Sequence, residues 1–461
     1  MIVGTSRFAG TVVVLGLARS GLSAARALMA SGNTVLAWDD TPERVKTAAR
    51  AGIPVHSGAD FDWRRVAALV PSPGIPLDHP TIVSARAARI EILGDVELLG
   101  RAMAERKFVG ITGTNGKSTT TALIGHILEH DRQTVQVGGN LGTPALSLEA
   151  LWADGTYVLE MSSFQLDLTR EMSFDIAVLL NIAPDHLDRH GSMNAYVAAK
   201  RKIFRSGRLK TAVVGIDGPD SLRIYNELRL RDGLDVVPVT TGRRLLDGIA
   251  VNGGLLEDRG RAICDLAAAT ALPGRHNWQN AAAAYGAARA LGVNAETIAR
   301  ALLNFPGLAH RMEHIAAIDG VQFINDSKAT NGDAAARALA CYNPIYWIAG
   351  GRAKSNGLSA LRPYFQRISH AFLIGEAEQT FAAELDGRVD HSLCQTLDSA
   401  LDAAAAQARA DGRPGAVVLF SPACASFDQY ADFEARGEAF RELVYELERR
   451  QSEQARRAWA G

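Results

Sequence analysis

Residues 108–112, Phe-Val-Gly-Ile-Thr, run directly into Gly113-Thr114-Asn115-Gly116-Lys117-Ser118-Thr119, and a helical pattern follows at once. A strand that breaks through glycines into a helix start has the physics of a phosphate loop. Successive backbone N–H groups at the helix start wrap phosphate oxygens, Lys117 reaches the terminal phosphates, and the Ser118 hydroxyl is placed to ligate magnesium. The segment departs from the strict G-x-x-x-x-G-K-[ST] form, because the position five before Gly116 is Ile111. The competing reading is a glycine-rich strand-to-helix turn with an incidental lysine, and the strand before and helix after argue against it.

On either side of this loop the chain alternates strand and helix. Residues 11–15 are β-branched, 20–31 form an alanine-rich helical stretch, and 34–38 make a second strand ending in Asp39-Asp40, a Rossmann-like opening. After Phe305-Pro306-Gly307 a third series begins, in which 321–325, 345–350, 371–374 and 416–420 read as buried parallel strands. The expectation is an α/β chain of three domains in series: a Rossmann-like domain over 1–104, a phosphate-loop domain with a mostly parallel sheet over 105–307, and a second Rossmann-like domain over 308–461. The tail from Glu446 reads as a solvated helix end.

A chain with 47% hydrophobic and 21% charged residues is ordinary for a globular protein. Its formal net charge of −1 offers no global field to hold nucleic acid or an anionic membrane, so recognition must be local. Cys264, Cys341, Cys394 and Cys424 lie far apart with no C-x-x-C pair, which indicates neither a zinc site nor a disulfide framework. No apolar run of about 18 residues exists, and the N-terminal apolar stretch is interrupted by glycines and Arg19. A cytoplasmic protein with no signal peptide or membrane span, acting as a monomer, is expected.

Two further segments end strand-like runs: Glu160-Met161-Ser162-Ser163-Phe164-Gln165-Leu166 and Asn181-Ile182-Ala183-Pro184-Asp185-His186-Leu187-Asp188. In an open parallel sheet the carboxyl ends of the strands line one crevice, so Glu160 and His186 should face the same phosphates as the loop. Glu160 is a hard carboxylate suited to magnesium, and His186 offers an imidazole nitrogen. Singly, each reads more readily as a surface carboxylate or a hydrogen-bonded histidine than as a ligand. In His276-Asn277-Trp278-Gln279-Asn280, Asn277 is placed to cap a helix. In Asn325-Asp326-Ser327-Lys328-Ala329-Thr330-Asn331, a lysine and a hydroxyl two residues apart follow a strand and suit a substrate carboxylate. Asp326 there would orient Lys328 or position an incoming amine, although a turn rich in Asn, Asp and Ser is also what many βα loops look like.

Taken together and in order, the 113–119 loop, Gly138-Gly139-Asn140-Leu141-Gly142 and the 160–166 and 181–188 segments resemble the Mur ligases and their relative folylpolyglutamate synthetase. The resemblance implies ATP held by Gly113, Thr114, Asn115, Gly116, Lys117, Ser118 and Thr119, with Asn277 and Asn280 near the adenine and sugar and Arg311 reaching back to the phosphates. It implies magnesium at Ser118, Glu160 and His186. Lys200 matches the lysine that most of the family carbamylates to hold a second magnesium. Lys117, His186, Lys200 and Arg311 would be the catalytic set.

The 325–331 block resembles the D-glutamate-adding branch, as do Gly350-Gly351-Arg352-Ala353-Lys354-Ser355 and residues 421–430. Lys328, Thr330, Lys354, Ser426 and Phe427 would then bind D-glutamate, whose two carboxylates suit two lysines and two hydroxyls. In the N-terminal domain, residues 16–21 resemble the turn that receives the UDP pyrophosphate. Arg19, Ser20, Asp39, Asp40 and Thr41, with Asn140, Ser162 and Gln165 further on, would bind UDP-N-acetylmuramoyl-L-alanine. A dinucleotide fold is the competitor for that turn taken alone. The implied reaction is ATP-dependent ligation through an acyl phosphate in peptidoglycan precursor synthesis; the alternatives are a ligase for L-glutamate and a non-catalytic UDP-sugar-binding relative.

Overall fold

The computed structural model describes residues 1–58, 60–140, 142–353 and 357–459. Three sheets follow one another along the chain. The first contains β1 (Thr11–Leu15), β2 (Val35–Trp38), β3 (Val66–Pro71) and β4 (Glu91–Ile92), all parallel, in the order β2-β1-β3-β4. Val12, Val13, Val14 and Leu15 are completely buried, as expected of a central parallel strand covered on both faces. The chain reverses direction across the sheet at β1, and the crevice beyond its carboxyl end is where such sheets take ligands.

The second sheet has nine strands: β5 (Lys107–Thr112), β6 (Val135–Gly139), β7 (Thr156–Glu160), β8 (Ile176–Leu179), β9 (Thr211–Gly215), β10 (Asp235–Thr240), β11 (Ile249–Asn252), β12 (Leu255–Asp258) and β13 (Arg261–Asp265). Their order is β13-β12-β11-β10-β9-β8-β5-β7-β6, so β5 lies between β7 and β8 and not beside β6. From β6 to β11 the pairs are parallel; β12 and β13 add an antiparallel meander that the sequence reading did not anticipate. Leu255 and β13 are largely exposed, so these short strands lack the continuous apolar run that marks a buried parallel one.

The third sheet contains β14 (Glu313–Ile318), β15 (Val321–Asn325), β16 (Ile345–Gly350), β17 (Ile368–Ile374), β18 (His391–Gln395) and β19 (Val417–Phe420), in the order β14-β15-β19-β16-β17-β18. β15, β16, β17 and β19 are the strands read from the sequence, parallel as expected. β14 is an additional antiparallel edge strand hidden from pattern reading by its alternation of exposed and buried residues. The charged tail is helical, part of Phe433–Trp459. Among the described residues no helix is long and apolar enough to cross a membrane.

By contact the chain divides into two compact units. One comprises residues 1–270 and 275–305 and carries the first two sheets; the other comprises 271–274 and 306–461 and carries the third. Within the first unit, Glu97 ties the four-stranded sheet's last helix, Asp95–Ala102, to the central domain. Its buried carboxylate accepts the backbone N–H groups of Arg170, Glu171 and Met172 at 2.8–3.2 Å, and Arg101 offsets its charge at 3.2 Å.

Candidate active site

The phosphate loop leaves β5 at the point where the nine-stranded sheet reverses strand order. Gly116 closes it in the left-handed conformation, φ 84°, and the helix Lys117–His130 starts there. Only glycine fits, because a Cβ on Gly116 would sit 2.0 Å from Asn280 Oδ1. Asn280 is thereby pressed against the loop, and its amide donates to Asn277 Oδ1 at 3.2 Å. Asn277 is the third residue of the helix Arg275–Ala290 and not its cap, which corrects the capping expectation. The loop is held from below: Asn115 N–H donates to Asn181 Oδ1 at 2.9 Å, and Thr114 Oγ1 meets Ala183 O at 3.1 Å and Tyr196 Oη at 3.0 Å. Ser118 and Thr119 are buried in the first helical turn.

Two lysines converge on one carbonyl. Lys117 Nζ donates to Gly113 O and Thr114 O, both at 2.9 Å, and Lys200 Nζ donates to the same Gly113 O at 2.8 Å. Lys200 is 2% exposed, on the helix Met193–Arg201, and lies 4.7 Å over the ring of Tyr196 one turn earlier. Burial, then repulsion by Lys117, bring its pKa down to about 7. Its surroundings are those of a buried amine, not of a solvated lysine on a helix surface. Tyr196 was not singled out by sequence; its spacing of four residues from Lys200 on one helix face is the signal that identifies it.

Strand pairing delivers the carboxylate. Ile111 pairs with Glu160 in the β5–β7 register, so Glu160 ends its strand beside the loop. It is 2% exposed; Oε1 accepts from Asn140 Nδ2 at 2.6 Å, and Oε2 has no hydrogen-bond partner among the described residues. A buried carboxylate oxygen without a donor fits a cation. His186 is half exposed, in the left-handed conformation at φ 51°, with its ring 5.0 Å from Phe164. No group of three or more His, Cys, Asp or Glu side chains gathers among the described residues. The donors at hand are one hydroxyl, one carboxylate, one imidazole and one lysine, a set that suits an ion held chiefly by water and substrate phosphates, as magnesium is.

Next to Glu160, Ser162 and Gln165 form a capping box on the short helix Ser163–Asp167. Behind them lies Asp95, a buried carboxyl raised to about 6 by burial, against hydrogen bonds from Val96 N–H and the Gln165 side chain. In the first sheet, Gly16 turns the chain at φ 89°, and Ser72 Oγ donates to its carbonyl at 2.9 Å. Asp39 accepts Leu17 N–H at 2.6 Å and Thr41 N–H at 2.8 Å. Burial alone would raise its pKa, but those N–H groups, Thr41 and Arg44 outweigh it and hold it below the usual value. Asp40 pairs with His79 at 2.9 Å, the Arg19 guanidinium donates to Gly142 O, and Ser20 is the second residue of the helix Arg19–Ala30.

In the second unit the loops after β15, β16 and β19 meet because β19 lies between the other two strands. Lys328 Nζ lies 5.4 Å over the Phe433 ring, and Thr330 N–H donates to Lys328 O at 2.9 Å. Asp326 is held within the fold. It accepts Ser421 Oγ at 2.7 Å and Met312 N–H at 3.2 Å, and burial pushes it up to about 6. Buried Arg436, which with Phe433 and Gly437 continues the family-like signature of residues 421–430 but had no role assigned from the sequence, knits two of the loops by donating to Ser327 Oγ, Ser327 O and Cys424 O at 2.8–3.1 Å. Ser426 is buried and Phe427 is 64% exposed. Arg311 belongs to this unit, and Lys354 lies outside the described residues.

Three domain families match in the order of the sheets. The N-terminal domain of Mur ligases of the MurD-like type matches residues 10–94, the Mur ligase middle domain 111–288, and the Mur ligase glutamate ligase domain 310–424. Curated relatives include the UDP-N-acetylmuramoylalanine–D-glutamate ligase of Rhodospirillum rubrum, 52% identical over 449 residues (94% of this chain and 94% of that protein). That of Paramagnetospirillum magneticum is 50% identical over 440 residues (94% and 96%). Among solved structures, the UDP-N-acetylmuramate-alanine ligase MurC of Thermotoga maritima shares the fold with a TM-score of 0.59 at 19% identity, covering 96% of this chain and 99% of that one. Three sheets in this order, a phosphate loop backed by a buried lysine, and half-identical relatives along nearly the entire length lead to one assignment: the chain belongs to the Mur ligase family.

Proposed function

We propose that this chain joins D-glutamate to UDP-N-acetylmuramoyl-L-alanine with consumption of ATP, in peptidoglycan precursor synthesis. The observation that carries the reading is about half identity, over more than nine-tenths of the chain, to ligases named for that reaction. Three domains, bounded near residues 104 and 307, take the UDP substrate, ATP and D-glutamate in turn. The enzyme acts as a monomer in the cytoplasm.

The terminal carboxylate of the UDP substrate attacks the γ-phosphorus, ADP leaves, and an acyl phosphate forms; the glutamate amine then attacks the acyl carbon, phosphate leaves, and the amine's proton is lost. The N–H groups of residues 113–119 and Lys117 hold the phosphates and offset charge as it develops. Ser118, Glu160, His186 and Lys200 would hold two magnesium ions, which when bound neutralise phosphate charge. The unpartnered Oε2 of Glu160 and the lowered pKa of Lys200 support that assignment. As a free amine, Lys200 can attack the carbon of carbon dioxide and release a proton to water, which turns a cation into an anionic oxygen ligand. Asn277 and Asn280 border the nucleotide. Arg19, Ser20, Asp39, Asp40, Thr41, Asn140, Ser162 and Gln165 orient the UDP substrate, while Lys328, Thr330, Lys354, Ser426 and Phe427 receive the glutamate.

Incubation with ATP, magnesium, UDP-N-acetylmuramoyl-L-alanine and each glutamate enantiomer tests the proposal. Phosphate release and a product heavier by one glutamate residue are expected with D-glutamate alone. Turnover with L-glutamate at an equal rate, or none with either, would overturn it.

A further inference from the structure

Away from the phosphate loop, a cavity of about 480 Å³ opens between the edge strand β4 and the segment that follows the helix Ser163–Asp167. None of the residues lining it belongs to the sets assigned above to ATP, magnesium, the UDP substrate or glutamate. Its volume lies in the range of small-molecule sites. Leu77, Ile92 and Leu168 supply apolar wall, and Arg86, Arg89 and Arg170 supply charge.

The balance of that charge is the informative part. Two acids also line the cavity, but each already has a cation: Glu91 pairs with Arg101 at 2.8 Å and Asp167 with Lys202 at 2.6 Å. The guanidinium of Arg86 donates to Leu77 O at 3.2 Å, a neutral partner. Among the described residues, the side chains of Arg89 and Arg170 have no ion-pair or hydrogen-bond partner. Three guanidiniums thus line one concavity without an acid to neutralise them. Such groups are forked donors matched to phosphate and carboxylate oxygens.

We propose that this cavity is a second ligand site, for a small molecule that carries two or more phosphate or carboxylate groups close together. Its position is suited to influence the enzyme, since Arg170 starts the segment whose N–H groups Glu97 holds. A bound anion would bridge the edge of the four-stranded sheet and the central domain. Arg89 and Arg170 are its principal anchors, because no partner among the described residues engages their guanidinium groups.

Calorimetric titration of the full chain tests the site, in magnesium-free buffer with ADP and the UDP substrate saturating so that the phosphate loop and the glycine turn are occupied. Pyrophosphate and citrate serve as the two probes and separate a phosphate site from a carboxylate site. The expected result is one binding event per chain with at least one probe, weakened about tenfold or more for each arginine removed in Arg89→Ser and Arg170→Ser. The double variant Arg89→Lys/Arg170→Lys should retain part of the affinity. Both arginines are exposed, and an unchanged thermal midpoint confirms that the variants fold. Binding by neither probe, or equal binding in the double serine variant, overturns the proposal. Neither outcome bears on the ligase reading, because turnover is measured separately.

Discussion

At pH 7 about half of the Lys200 side chains carry a free amine, because the pKa has fallen from 10.5 to about 7. A lysine left at 10.5 would present about 3 in 10,000 at the same pH, so the buried site enriches the nucleophilic form on the order of a thousandfold. Only the neutral amine reacts with carbon dioxide, and the proton it retains below pH 7 blocks the reaction. With 13C-labelled carbon dioxide at fixed dissolved concentration, the initial rate at which the carbamate carbon resonance grows follows the free-amine fraction, and is expected to rise with pH and reach half its plateau near 7. Lys117→Met removes the like charge that shares Gly113 O, restores stability to the protonated amine, and should move the midpoint to higher pH. Lys200→Ala should lose the resonance and nearly all turnover, with partial recovery in formate or acetate. A resonance that emerges only above about pH 9, or wild-type turnover in Lys200→Ala, would refute the reasoning.

Asp95→Asn should alter stability in a pH-dependent way. The folded-state pKa of Asp95 is raised to about 6, so its contribution is fully present below the unfolded value near 3.8 and is lost as pH climbs through 6. The amide variant should therefore be more stable than the parent at pH 7 by up to about 3 kcal/mol, and the difference should shrink toward pH 4 in denaturant titrations; no pH dependence of the difference would contradict this. Gly116→Ala forces a Cβ against Asn280 in a left-handed turn, and should cost about 1–2 kcal/mol in stability and raise the KM for ATP more than that for D-glutamate. Lys328→Ala should raise the KM for D-glutamate by about tenfold or more and leave that for ATP nearly unchanged, since a charge-assisted contact to one carboxylate is lost; equal effects on both substrates in steady-state kinetics would remove Lys328 from the glutamate site.

Local chemistry was legible without coordinates because it needs only near neighbours. Glycines at 113 and 116 beside Lys117 and Ser118 specify a loop, and the runs at β1, β5 and β16 specify buried strands, since backbone freedom and apolar periodicity are properties of a few consecutive residues. The order of these segments also pointed to the family. What the residues become electrostatically was decided by parts of the chain far apart in sequence. Strand order places β7 and β8 on either side of β5, and so brings Glu160 and Asn181 to the loop. The packing of Met193–Arg201 against that loop turns Lys200 from a helix lysine into a buried amine. The same dependence explains what pattern reading missed. That Asp326 accepts from Ser421, 95 residues away, is invisible in its own loop, and Arg436 shows its role only where the loops after β15 and β19 meet. Desolvation and strand neighbours are sums over the whole fold, and a sequence lists residues without saying which of them share a crevice.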